Sequence, residues 1–354
     1  MGQLGTLLIL AVLSFLAVVC LVPLVRRVAL SYGVIDAPLA TKLHSTPIPY
    51  LGGVAIALAA AIASAFVPHW SVEGGVIVLG ALLVATVGLV DDIRNLNPAP
   101  RLVAEVVAAS LAASAGARVH LFGGGLDVAL TVFWLVVITN AFNLLDNMDG
   151  AAGVIATTIS FALIVAAGLE GQWLVGGLAA VVGGCCLGFL VFNRHPARIF
   201  MGDAGSLFVG FLLAAIALKL RFVVGQPSGS IAVALLMGPA VFDTTLVVVA
   251  RIRGGRSVLV GGTDHTSHRL LRLGLTTNRA LALLAAGSVG SAAAGVAVGR
   301  GVLSAAVVVP PLAIAGIVAL IGLLRVPTGI DDRADAERLV GSDPEFLGIA
   351  VAES

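Results

Sequence analysis

The chain has 354 residues, of which 59% are hydrophobic and only 11% charged, with a net charge of +1 and a mean hydropathy of +1.10. Such a composition cannot present an ordinary polar surface to water, which excludes a soluble globular domain and makes lipid the solvent. A net charge this close to zero names no partner by itself, and no nucleic acid is expected as one.

A spanning helix needs about 20 mostly apolar residues. Eleven such stretches run in chain order near residues 4–25, 51–67, 74–90, 102–117, 128–145, 150–169, 173–192, 206–222, 230–250, 279–299 and 302–324. Backbone groups in lipid must be satisfied internally, and aromatic residues make up only 5% with no alternating ten-residue segments, so an outer-membrane barrel is excluded. The expected fold is an all-α polytopic membrane protein of about 11 transmembrane helices. Residues 1–324 form one membrane-embedded domain, and the charged stretch from 325 to 354 forms a polar tail.

The opening MGQLGT carries no Lys or Arg, whereas Arg26 and Arg27 follow the first span, which argues against a cleavable signal and puts the N-terminus outside. With alternate loops in the cytoplasm, sixteen of the twenty Lys and Arg residues fall inside, leaving Arg118, Lys219, Arg221 and Arg300 outside. On this orientation the C-terminus is cytoplasmic. The acids are equally one-sided. Asp36, Asp91, Asp92, Glu105, Asp146, Asp149, Asp203, Asp243 and Asp264 lie in or near the cytoplasmic half, against Glu73, Asp127 and Glu170 outside. Acids at a membrane edge are costly, and this asymmetry opposes a featureless bundle.

The first inner loop, GVIDAPLATKLHSTPIPYLGG, offers Lys42 and His44 ahead of a proline-punctuated turn, and either can touch a phosphate. The third span ends in GLVDDIRNLNPAPR. There Asp91 and Asp92 sit at a helix C-terminus, whose dipole disfavours each anion by ~0.3–1 kcal/mol. A divalent cation or a phosphate partner would compensate, and a solvated loop start is the bland alternative. The fifth span runs into NAFNLLDNMDGAAG, where Asn140, Asn143, Asp146 and Asp149 recur every three residues and share a helical face if the helix persists. Asp149 alone could N-cap the sixth span.

Cys20 lies in the first span and Cys185 and Cys186 are neighbours in the seventh, so they read as packing residues rather than a disulfide framework. Small residues in GGLAAVVGGCCLGF permit close helix contact, and such faces permit a homodimer without requiring one. After the seventh span, NRHPARIFMGDAGSL sets Asp203 between glycines at the start of the eighth. It either caps that helix or, with Arg198, holds a metal bridging to a diphosphate. His195 in the same stretch reads more readily as structural. Asp243, in PAVFDTT within the ninth span, suggests a buried polar pair or a transport site. The longest inner loop carries six arginines and places His265 and His268 three apart, which suggests an anionic ligand. Zinc would need a third ligand of clear spacing.

Taken together, VDDIRNL, NAFNLLDNMDG, NRHPARIFMGDAGSL, PAVFDTT and HTSHRL resemble the polyprenyl-phosphate N-acetylhexosamine-1-phosphate transferase family. That family includes the phospho-MurNAc-pentapeptide translocase and the enzyme that begins eukaryotic N-glycan assembly. The resemblance runs from residue 33 to about residue 275 and keeps the family's motif order. It implies transfer of an N-acetylhexosamine 1-phosphate, GlcNAc foremost, from a UDP-sugar to undecaprenyl or decaprenyl phosphate, with release of UMP. The product is a lipid diphosphate sugar for cell-envelope glycans such as lipopolysaccharide, teichoic acid or an arabinogalactan linkage, made at the cytoplasmic face of the plasma membrane. Magnesium, or manganese in its place, is the implied cofactor.

Residue by residue, the resemblance implies Asp203 as the principal metal ligand with Asn143 beside it, and Asp91 as the group that deprotonates or orients the acceptor phosphate. Asp92 helps place metal or substrate, Asp146 and Asp149 match the family's two-acid element, and Arg101 matches its phosphate-binding basic residue. Lys42, His44, Asn140, Arg198, His265, His268 and Arg269 are the remaining expected substrate contacts. Two departures stand out. The family's D-G-x-D-G has Asn147 at its first glycine, and its H-x-H-H has Ser267 at its second histidine. Direct attack by the lipid phosphate is favoured over a covalent enzyme intermediate. The rival class is an ion-coupled transporter centred on Asp243.

Overall fold

Each apolar stretch found in the sequence is helical, but not each is one straight span. The computed structural model describes residues 2–36, 47–94, 96–258 and 262–327. In chain order the helices are α1 (Gln3–Ser31), α2 (Gly52–Ser64), α3 (Val72–Arg94), α4 (Pro98–Ser114), α5 (Gly124–Leu145), α6 (Ala151–Leu169) and α7 (Trp173–Asn193). There follow α8 (Gly202–Lys219), α9 (Ser228–Leu236), α10 (Gly238–Arg253), α11 (Thr266–Arg272), α12 (Thr277–Gly299) and α13 (Ala305–Leu324). A two-stranded antiparallel ribbon, β1 (Ile35–Asp36) with β2 (Ile48–Pro49), pairs Ile35 with Pro49 and Asp36 with Ile48.

Among the described residues eight helices are long and apolar enough to cross a bilayer, nine if α9 and α10 form one broken span. The expectation of about eleven counted three weaker cases as full spans. Helix α2 has 13 residues, about 20 Å of rise, short of a ~30 Å hydrocarbon core. Helix α4 has 17 residues and carries Arg101 and Glu105 in its first half. The ninth stretch breaks between Leu236 and Gly238 with a 72° bend. Pro239, next to that break, has no N–H to continue the ladder. Asp243 therefore sits in the second turn of a separate helix and not near the middle of an uninterrupted span.

Helix α8 is the axis of the bundle. Every residue from Ala204 to Leu218 is buried, as an all-round apolar helix must be in a core. It packs against α2, α3, α5, α6 and α7. Helix α13, equally apolar, buries only Val308 and leaves most of its surface exposed on the outside of the bundle. Because consecutive helices alternate in direction, the ends of α3, α5 and α7 and the starts of α4, α6 and α8 gather at one end. The loop before α8 is tied there by backbone bonds. Phe200 N–H donates to Pro49 O (2.9 Å), Gly52 N–H to Phe200 O (3.0 Å) and Gly53 N–H to Met201 O (2.8 Å).

Candidate functional site

The acids at this end are organised by the N-terminus of α8. Its own N-cap residue, Met201, makes no side-chain cap. Instead Asp92, at the end of α3, accepts the Asp203 N–H with Oδ1 (2.8 Å) and the Ala204 N–H with Oδ2 (3.0 Å). A carboxylate disfavoured at one helix C-terminus is thus stabilised by the orphan amides and positive dipole end of another. The fit demands glycine twice. Gly202 adopts φ +70°, and a Cβ there would meet the Asp92 carboxylate at 2.7 Å. A Cβ on Gly88 of α3 would meet the Asp203 backbone at 2.6 Å.

With Asp92 serving as the cap, Asp203 is free to turn into the cluster. Its Oδ1 accepts Asn143 Nδ2–H (2.7 Å), and its Oδ2 accepts Arg101 Nη1–H (2.8 Å). The same Arg101 nitrogen lies 3.2 Å from Asp91 Oδ2, while Asp91 Oδ1 accepts the Leu96 N–H (2.6 Å). Arg101 Nε is 3.8 Å from Glu105 Oε1. Asn140 donates to Glu105 Oε2 and to Val136 O. Glu105 is 1% exposed, and its Oε1 has no hydrogen bond. It belongs to this cluster although motif reading left it out. Its position four residues after Arg101, one turn along the same face, was the available signal.

Asp146 closes the cluster at the C-cap of α5. Burial first, and then the negative charge of Asp203 and Asp92, push its carboxyl up to about 7, against a lowering contribution from the Gly202 amide. Asp149 does not cap α6. Its Oδ2 accepts the Ala197 N–H (3.0 Å) and lies 2.8 Å from His195 Nδ1. Asn193 adds two bonds, accepting the Gly150 N–H and donating to Ile199 O (3.0 Å each). Together they latch the loop before α8 to the start of α6. Arg198 is exposed there, its backbone used by Phe192 and Arg26. Lys42 and His44 fall outside the described residues.

A second polar group adjoins the first. Asp243, 2% exposed, lies 2.9 Å from His265 Nδ1 and accepts the Thr266 N–H (2.7 Å). This orients His265, whose ring centroid stands 5.8 Å from that of His268. The pairing makes Asp243 a positioning residue, the buried polar pair that its place in an apolar stretch suggested, with His265 as a partner the sequence did not name. Burial, then His265 and Arg272, lower the His268 pKa to about 4, so it is neutral near pH 7. The two departures from the family pattern meet here. Ser267 Oγ donates to Asn147 Oδ1, joining the long loop to the α5–α6 turn.

Arg269 differs from its expected task. It is 2% exposed, and Nε donates to Asp264 O (2.9 Å) while Nη1 donates to Leu323 O and Val326 O (2.7 Å each). Its guanidinium thereby holds the end of α13 instead of facing the cluster. Buried Asp264 is matched by Arg256 (2.5 Å) and Arg251 (3.3 Å), which outweigh its burial and hold its carboxyl below the usual range.

Between α10, α11, α12 and α13 runs an apolar cavity of about 880 Å3, lined by residues such as Phe242, Leu273, Leu284 and Leu312. Asp243 and Thr266 contribute polar groups to its wall. The apolar cavity therefore reaches the Asp243–His265 group.

Residues 75–221 match the sequence profile of glycosyl transferase family 4. Over 278 residues the chain is 31% identical to a Bacillus subtilis protein named "Probable undecaprenyl-phosphate N-acetylglucosaminyl 1-phosphate transferase", covering 75% of this chain and 77% of the relative. It is 30% identical over 347 residues to the decaprenyl-phosphate N-acetylglucosaminephosphotransferase of Mycobacterium tuberculosis, covering 85% of each. A phospho-N-acetylmuramoyl-pentapeptide-transferase of Streptococcus pneumoniae is 33% identical over 197 residues, covering 49% of this chain and 60% of the relative.

Proposed function

The chain belongs to glycosyl transferase family 4, and we propose that it transfers an N-acetylhexosamine 1-phosphate, GlcNAc foremost, from a UDP-sugar to undecaprenyl or decaprenyl phosphate. The observation that carries this reading is the convergence of Asp91, Asp203, Asn143 and Arg101 at one end of the bundle. It lies close to an apolar cavity large enough for several isoprene units. The active face is cytoplasmic, as the sixteen-to-four distribution of Lys and Arg implies.

In the reaction, an oxygen of the lipid phosphate attacks the sugar-bearing phosphorus of the donor. The bond from that phosphorus to the bridging oxygen breaks, and UMP leaves with the electron pair. One phosphoanhydride replaces another, so the task is to bring two polyanions together in line. Arg101 and Arg198 neutralise the diphosphate, Asp91 orients the acceptor, and the Asp243–His265 pair and His268 border the donor. Asp92 acts through α8, holding Asp203 in place.

The residues suit magnesium. Asp91 and Asp203 already converge on a cation, the Arg101 guanidinium, and their donors are hard oxygens. Among the described residues no group of three or more His, Cys, Asp and Glu forms a metal cage. Magnesium typically takes one or two carboxylates and completes its shell with water and substrate phosphate. Asp203, with Asn143 beside it, would hold it, and the ion would supply charge neutralisation at the diphosphate.

The test is UMP release by the purified protein with undecaprenyl phosphate, magnesium and a panel of UDP-sugars, beside Asp203→Ala. Release by the wild type alone, for one donor, identifies the reaction. Folded wild-type protein that releases nothing from any donor overturns it.

A further inference from the structure

A second cavity has its charged rim near the start of α5, the end opposite the acidic cluster, and reaches about halfway along that helix to Phe133 and Trp134. Its volume is about 280 Å3, and its wall includes Arg118, Arg221, Trp134, Phe133, Gln226 and Ser230. Neither arginine forms an ion pair with a carboxylate among the described residues. Arg118 donates to Gly124 O. Arg221 donates to Leu218 O (2.7 Å) and lies 2.9 Å from His120 Nε2. The acids nearby, Asp127 and Glu73, attract Arg118 and Arg221 across a gap but spend their hydrogen bonds on other groups. Asp127 accepts the amides of Leu121, Phe122 and Gly123, and Glu73 pairs with Lys219. Arg118 Nε and Trp134 Nε1 are buried with no hydrogen bond. Two guanidiniums beside one apolar hollow, with donors left over, call for an anion.

The geometry also says what kind of anion. Arg118 precedes the first residue of α5, and Arg221 follows the last of α8, so the charged rim lies at the level of the helix ends. Phe133, nine residues into α5 and about 14 Å deeper, is 66% exposed, which places the cavity on the lipid-facing flank. Charge at the interface above an apolar wall fits a headgroup with its chain, not a soluble ion.

We propose that this cavity binds an anionic glycerophospholipid of the adjoining leaflet, its phosphodiester between Arg118 and Arg221 and one acyl chain along Leu130 and Phe133. The site is independent of the transferase reading. By binding the folded chain, the lipid would tie the α4–α5 loop to the α8–α9 loop and raise stability by mass action.

The test uses the purified full chain in detergent, with lipid retention read by native mass spectrometry and the unfolding midpoint read in parallel. The probes are dioleoyl phosphatidylglycerol, dioleoyl phosphatidylcholine and inorganic phosphate. Phosphatidylglycerol should be retained and raise the midpoint, phosphatidylcholine should bind about tenfold more weakly, and phosphate should do neither. Arg118→Gln and Arg221→Gln should each weaken retention about tenfold, the scale of one charged hydrogen bond. Leu130→Trp keeps both guanidiniums but fills the hollow, and should abolish the effect even if the arginine variants fold poorly. Equal binding of the two lipids, wild-type retention by Leu130→Trp, or an equal shift from phosphate alone would each overturn the proposal.

Discussion

The two ends of this bundle use the same residue types to opposite effect. At the end away from the cluster, each described acid has its own partner: Glu73 has Lys219, Glu170 has Arg300 at 2.9 Å, and Asp127 has three backbone amides. At the other end Asp91, Asp203 and Glu105 crowd around the one guanidinium of Arg101, with Asp146 raised towards neutrality beside them. Charges matched one to one hold loops in place. Carboxylates packed in excess of their cations cost stability, and such an arrangement marks a site built to receive positive charge.

The sharpest way to break the contrast is to remove one acid from each end. Asp203→Ala should lower UMP release by about 10^3-fold or more, the scale of losing a principal electrostatic contact, with little change in the unfolding midpoint. Asp127→Ala should do the reverse, lowering the midpoint in detergent and leaving turnover of the folded fraction intact. If Asp127→Ala abolished turnover in folded protein, the division of labour between the ends would be wrong.

A smaller effect probes the seam between the two polar groups. Asn147→Gly and Ser267→Ala each remove one half of the bond between them. A double-mutant cycle on stability should return a coupling of about 1 kcal/mol, and a null coupling would show that the contact is incidental. The same cycle run on donor KM would reveal whether these two departures tune the sugar.

Smaller still is a pH effect. The folded His268 pKa of about 4 lies below its unfolded value of 6.5, so between these pH values the unfolded chain binds a proton that the folded chain refuses. Stability should therefore fall as pH drops from about 6.5 to about 4, and His268→Gln should flatten that slope. His265 and Arg272 push in this direction, and Asp243 and Asp264 oppose it. At the bottom of the scale, Glu73→Gln should shift stability by less than about 1 kcal/mol, since Glu73 is half exposed and such pairs are screened.

Much of this was legible in the chain alone. Apolar run length placed the helices, because hydrogen-bonded backbone is obligatory in lipid wherever such a run occurs. The one-sidedness of acids and bases and the order of short motifs pointed to the cluster and to its family. Local spacing carried this because residues within a turn or two are placed by the backbone itself.

What only the tertiary structure decided concerns partners distant in sequence. Asp92 caps a helix that begins 110 residues later. Arg269 is taken up by carbonyls at the end of α13, Asp243 orients His265, and Ser267 finds Asn147 across 120 positions. A carboxylate or guanidinium bonds to whatever donor or acceptor packing brings within about 3 Å. Residue type therefore advertises a polar requirement, and only the packed bundle determines which group fulfils it.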